Sequence, residues 1–139
     1  VDYPARYTQA VAVSAIGLIG SWPAGTYLDW TLSASRGKAL GGQESFLASF
    51  SNRGAKVALT APGVGVVSTI FSSRWGVMSG TSMATPIATG VLARRLAASP
   101  AVKDLPRGAA RSAEIVKMAL QAAEDIHLPA GMQGKGLAR

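Results

Sequence analysis

The stretch that most constrains this chain is Gly80-Thr81-Ser82-Met83-Ala84-Thr85-Pro86. It joins a β-like run, residues 66–77, to an apolar, alanine-rich run of helical character, residues 82–98. Ser79 and Gly80 are small enough to make the turn between them, which puts Ser82 in the first turn of the helix. The backbone N–H groups there lack helical partners, and the positive end of the helix dipole favours developing negative charge. A serine hydroxyl so placed is well sited to attack a carbonyl carbon, because the oxyanion forms beside those N–H donors. Pro86 is tolerated on the same ground, as first-turn N–H groups have no helical partner. On these residues alone the stretch also reads as a small-residue turn with Thr81 or Ser82 as an N-cap.

The whole heptapeptide resembles the nucleophile motif of the subtilisin family of serine proteases. Other segments resemble that family in family order. Tyr3-Pro4-Ala5-Arg6-Tyr7, followed by the apolar run 10–16, is similar to its Tyr-Pro-Ala-x-Tyr segment and next strand. Ser49-Phe50-Ser51-Asn52-Arg53-Gly54 is similar to its Ser-Phe-Ser-Asn-x-Gly turn, and Ala61-Pro62-Gly63 to the Ala-Pro-Gly that ends a strand. Gly134-Lys135-Gly136-Leu137 resembles its closing Gly-x-Gly-Leu/Val element.

The resemblance implies an α/β fold, a partial doubly wound parallel-sheet sandwich. Residues 1–139 are then the C-terminal segment of a catalytic domain, with 18–45 as a loop or hairpin insertion. It implies a serine endopeptidase that cleaves peptide bonds through an acyl-enzyme on Ser82. The Ser82 N–H would be one oxyanion donor, and Thr81 would support the oxyanion hole. Asp2, Tyr3 and Gly80 would bind substrate. Asp2 matches the base of the primary specificity pocket, where a carboxylate would favour a basic side chain; it reads equally as a solvated loop carboxylate. The backbone carbonyls of Ala5, Tyr7 and Ala10 match a weak Ca2+ or Na+ site, and no other cofactor is implied. Met83 matches a methionine beside the nucleophile, so oxidation of the assembled enzyme would crowd the site. Ile87 departs from the family pattern, at a position outside the catalytic triad.

A serine needs a general base within hydrogen-bond reach, and that base needs orienting. The family order is Asp, His, then Ser, with the Asn of the oxyanion hole also ahead of the Ser. All three partners are expected to precede Val1 and so lie outside this chain. The single histidine, His127, comes after Ser82 and reads as an ordinary loop histidine. The chain alone is therefore expected to be inactive. The alternative is a non-catalytic subtilisin-like binding or assembly module, excluded if an Asp-bearing strand and a His-Gly helix start stand upstream.

The chain has 139 residues, 48% hydrophobic and 15% charged, which suits one modest, mostly buried segment. It contains no apolar run long enough to span a membrane. No leader is visible, and the absence of a starting Met suggests that Val1 is not the native start. There is no cysteine, so neither disulfides nor thiolate metal sites can form. The net charge of +7 raises a nucleic-acid-binding reading. The basic residues are scattered, with only Arg94-Arg95 adjacent and no interleaved aromatics, so a solvated basic surface is expected instead. The partners implied are protein or peptide substrates and the N-terminal part of the same catalytic domain. Apolar surface lacking that part would favour self-association. Secretion or cell-envelope location follows from the resemblance alone.

Local patterning predicts a buried strand at 10–16, short strands at 56–60, 64–70 and 75–79, and the helix from Ser82. A second helix is expected from an N-cap at Ser112, with apolar positions Ile115, Val116, Ala119, Leu120, Ala122 and Ala123 at helical spacing. Residues 18–45 show no clear period. Residues 27–32 are expected as a strand of a small hairpin there, and Trp22, Tyr27 and Trp30 are expected to pack on the protein's own body.

Overall fold

The computed structural model describes residues 1–22 and 35–139. Its centre is a four-stranded sheet in the order β2-β3-β1-β4. β1 (Ala12–Leu18) is buried along most of its length, as a run apolar on both faces should be. It pairs in parallel with β4 (Val57–Pro62), bringing Val13 beside Leu59 and Ala15 beside Ala61. On its other side it pairs antiparallel with β3 (Gln43–Leu47), which pairs antiparallel with β2 (Arg36–Leu40).

The chain is thus α/β with a mixed sheet, parallel at β1–β4 and antiparallel at its other pairings. Among the described strands only β1 and β4 run parallel. β2 and β3 are joined by the two residues Gly41-Gly42, and so short a link permits only an antiparallel pair. These strands lie within or against the stretch read as aperiodic; the strand expected at 27–32 lies outside the described residues, as do Tyr27 and Trp30. Trp22 does pack on the body, edge-on to Phe46 with ring centroids 5.8 Å apart.

Successive strand side chains point to opposite faces, and both faces of the sheet are covered. Ala15, Phe46 and Ala61 join Val64 and, from α1 (Thr81–Ala97), Ala84 and Ala88 in one cluster. Ile16 and Leu47 join Ile126, Leu128 and Leu137 in a second. The closing segment also extends the sheet edge, since Thr60 N–H donates to Gly136 O at 2.9 Å and Ala138 N–H donates to Thr60 O at 2.9 Å.

β5 (Val66–Ile70) and β6 (Arg74–Met78) form a separate antiparallel ribbon whose turn holds Ser72 and Ser73 at positive φ. After α1, Pro100 opens the short α2 (Pro100–Lys103). The next helix, α3 (Ala109–Gln121), starts after Gly108 and not at Ser112. The Ser112 hydroxyl instead donates back to the Gly108 carbonyl at 3.1 Å, a bond available to serine inside a first turn. The predicted apolar stripe of α3 is half-buried, with no residue fully covered. α4 (Ala130–Gln133) is one turn in a stretch expected as loop.

Candidate active site

Three segments meet where Ser82 is held. The end of β4 runs into Gly63, whose N–H donates to Ile16 O of β1 at 2.8 Å. The Gly63 carbonyl accepts the Gly80 N–H at 2.7 Å. The Gly65 N–H donates to the Ser79 hydroxyl at 2.9 Å. Glycine is required at 63 by space: a Cβ there would lie 2.6 Å from Ala15 Cβ and 2.8 Å from Gly80 O. The Ala-Pro-Gly segment and the turn before the helix are thus one hydrogen-bonded unit resting on the central strands.

Gly80 is the N-cap, and it caps with its backbone: its carbonyl accepts the N–H groups of Met83 at 3.0 Å and Ala84 at 3.3 Å. This displaces the reading of Thr81 or Ser82 as the cap. Thr81 and Ser82 are the first two helical residues, and among the described residues their N–H groups have no acceptor. Ala84 and Ala88 turn into the core, whereas Ser82 is exposed. The Thr81 carbonyl accepts the Thr85 hydroxyl at 2.9 Å. Pro86 stands inside the helix rather than in its first turn, which corrects the sequence reading. Its missing N–H leaves the Ser82 carbonyl without an i+4 donor.

Thr81 also lines a 240 Å³ cavity with Asp2, Tyr3 and Asn52. The sequence reading joined Asp2, Tyr3 and Thr81 only through resemblance; the fold brings them to one cavity. Asn52 was not singled out. It donates from Nδ2 to Asp2 Oδ2 at 2.8 Å, and the turn motif that carries it was the only available signal. Ala5, Tyr7 and Ala10 lie in the turns before β1, where the Tyr7 carbonyl accepts the Ala10 N–H at 3.1 Å. No cluster of three or more His, Asp or Glu side chains suited to a metal occurs among the described residues.

His127 belongs elsewhere. Its neighbours Ile126 and Leu128 pack in the cluster on the sheet face opposite α1. Its side chain is exposed, with Nδ1 3.7 Å from Asp125 Oδ1. The His127 N–H donates to the same carboxylate at 2.8 Å, and Gln133 Nε2 adds a second bond at 2.8 Å. Those two bonds, the His127 N–H first, hold the Asp125 carboxyl below its ordinary value, because they stabilise the ionised form. This is a turn-closing network rather than a base for Ser82.

Comparison with known proteins bears on the same residues. The profile of the subtilase family matches residues 1–136. A thermostable alkaline protease of Halalkalibacterium halodurans is 37% identical over 93 residues, covering 67% of this chain and 19% of that protein. A halolysin-like extracellular serine protease of Natrialba magadii is 32% identical over 104 residues, 75% of this chain and 15% of that protein. A subtilisin of Bacillus pumilus is 33% identical over 100 residues, 72% of this chain and 27% of that protein. The chain spans about a quarter or less of the length of these relatives.

Proposed function

This chain belongs to the subtilase family, and from that premise we propose that the complete protein is a serine endopeptidase with Ser82 as its nucleophile. The chain is read as the C-terminal segment of a catalytic domain, part of a doubly wound parallel-sheet sandwich with an insertion at 18–45. The observation that carries the reading is the placement of Ser82: exposed, at the second position of α1, beside two first-turn N–H groups that have no acceptor among the described residues.

In this reaction Ser82 Oγ attacks the peptide carbonyl carbon and passes its proton to a histidine base oriented by an aspartate. The tetrahedral oxyanion is held by the Ser82 N–H, with Thr81 supporting the hole and an Asn donor completing it. Collapse expels the amine, which takes the proton, and leaves an acyl-enzyme that water then cleaves. The histidine, the aspartate and the Asn come from the part of the protein preceding Val1, which is also the main partner of this segment. Gly80, Tyr3 and Asp2 contact the substrate chain.

The carbonyls of Ala5, Tyr7 and Ala10 are neutral oxygen donors with no carboxylate among them, a set that suits a weakly held Ca2+ or Na+. A cation there would steady the loop before β1. The name of the Natrialba relative supports release outside the cell or into the envelope. No helix among the described residues is long and apolar enough to cross a membrane.

The test is hydrolysis of a chromogenic peptide amide by the complete protein and its Ser82→Ala variant. A loss in kcat of about a millionfold, the scale that follows removal of a serine nucleophile, supports the reading. Undiminished turnover in the variant overturns it.

A further inference from the structure

β5 and β6 stand apart from the four-stranded sheet as a two-stranded ribbon that packs chiefly strand against strand. Its base is fixed: the Gly65 N–H, ahead of β5, donates to the hydroxyl of Ser79, just after β6, at 2.9 Å. Strand alternation puts Val67, Thr69, Trp75 and Val77 on one face, with Val67 paired to Val77 and Thr69 to Trp75. All four are exposed. At the tip Phe71 is 77% exposed, and the Arg74 guanidinium lies over its ring, 5.1 Å from the centroid. Contiguous apolar exposure of this kind marks a surface that meets a partner.

Charge identifies the partner. The ribbon contains no acidic residue, and residues 45–103 hold Arg53, Lys56, Arg74, Arg94, Arg95 and Lys103 with no Asp or Glu among them. The partner must therefore accept aromatic rings and supply negative charge beside them. An anionic bilayer surface does both, because aromatic rings settle at headgroup depth while arginine pairs with lipid phosphate. We propose that the β5–β6 ribbon is a peripheral docking element for an anionic phospholipid surface, with Phe71 and Trp75 seated among the headgroups and Arg74 paired with phosphate. The hydroxyls of Ser72 and Ser73 in the exposed turn meet the same headgroups. With five residues in each strand the ribbon lies in the interface and does not cross it, since a spanning strand needs about nine or more. β6 runs through Ser79 and Gly80 into α1, so a docked ribbon holds the serine-bearing helix near the surface. Without lipid, the same face is free for contacts between copies of the chain. None of this depends on Ser82 being a nucleophile.

The experiment is co-sedimentation of the complete protein with vesicles of mixed phosphatidylglycerol and phosphatidylcholine, beside vesicles of phosphatidylcholine alone. The wild-type protein is expected to bind the anionic vesicles, to bind the neutral ones far less, and to be released by salt. In the double variant Phe71→Ser, Trp75→Ser the apparent affinity for anionic vesicles falls by about tenfold or more, because the buried rings are lost. In Arg74→Gln it falls about fivefold, the share of one cation near the surface. Lipid brominated on its acyl chains quenches tryptophan emission in the wild type, and that quenching is lost in Trp75→Phe. Because these side chains are exposed, each variant should keep the wild-type melting temperature, which separates lost docking from lost folding.

A wild-type protein that stays off the anionic vesicles overturns the proposal. So does salt-sensitive binding that the double variant retains at full strength, which would assign the contact to the scattered basic surface. A complete protein that ignores lipid and dimerises, with the double variant monomeric, also overturns it and gives the face to a second copy. Each of these results leaves the protease reading intact, which is tested separately by the loss of turnover in Ser82→Ala.

Discussion

The Gly63 carbonyl accepts a 2.7 Å hydrogen bond from the Gly80 N–H, which ties the end of β4 to the turn that opens the serine-bearing helix. The position of Ser82 is inherited through this bond from the packed core. Gly63→Ala would drive a methyl group into Ala15 Cβ and the Gly80 carbonyl, at 2.6 and 2.8 Å. Overpacking of this kind costs about 1–3 kcal/mol. The expected outcome is a lower melting temperature together with a loss of Ser82 reactivity in the complete protein, measured by scanning calorimetry and probe labelling. Wild-type labelling in the variant would show that the turn does not take its position from β4.

Gln133 is the buried polar hub of the closing segment. Its Oε1 accepts the Ile126 N–H at 2.9 Å, and its Nε2 donates to Leu128 O at 2.6 Å and to Asp125 Oδ1 at 2.8 Å. Gln133→Ala strands a buried N–H and a buried carbonyl, at about 2 kcal/mol or more. Urea denaturation should show that loss, with the m-value unchanged.

Glu124 joins two cations, Lys38 of β2 and Arg139, whose carbonyl in turn accepts from Arg95 of α1. The hydrogen bond from Lys38 lowers its carboxyl below the ordinary 4.5; partial burial opposes this, and the charge of Arg139 adds to it. A carboxylate with a depressed folded-state value contributes stability that is present above its unfolded value and is lost as pH falls through the folded one. Glu124→Gln should therefore destabilise the protein at pH 7. It should also flatten the fall in stability below pH 4.5, read from melting temperatures between pH 3 and 7. Parallel pH profiles for the two proteins would remove this role from Glu124.

The β5–β6 ribbon presents Trp75 opposite Thr69 and Val77 opposite Val67 on one face. Trp75 is 73% exposed and Val77 59%. An apolar face of this kind favours association. The double variant Trp75→Ser, Val77→Thr should lower the self-association of the 139-residue chain in sedimentation velocity, with little change in melting temperature. Association that persists at wild-type strength would place the contact elsewhere.

Much of this architecture was legible in the residues. The apolar run before Gly17 and the run before Pro62 emerged as the parallel pair β1 and β4, and the small-residue turn before an alanine-rich run emerged as α1 within a residue of its expected start. The β2–β3 hairpin was missed because Arg36-Gly37-Lys38-Ala39-Leu40 shows little apolar alternation; Gly37 packs against Ile126 O and the Leu128 side chain instead of presenting a side chain of its own. Ser112 carried a good capping signal that lost to Gly108, because its hydroxyl bonded backward. In the candidate site, the placement of Ser82 in the first turn of a helix was readable from adjacent residues. The Asn52–Asp2 contact was not, since it joins positions fifty residues apart through the fold.

The most direct test of the central claim is the intact mass of the complete protein after fluorophosphonate treatment, beside the Ser82→Ala variant. One adduct per wild-type chain, located on the Ser82 peptide and absent from the variant, is the predicted result. An adduct retained by the variant, or none on an intact wild-type protein, would contradict the assignment of Ser82 as the nucleophile.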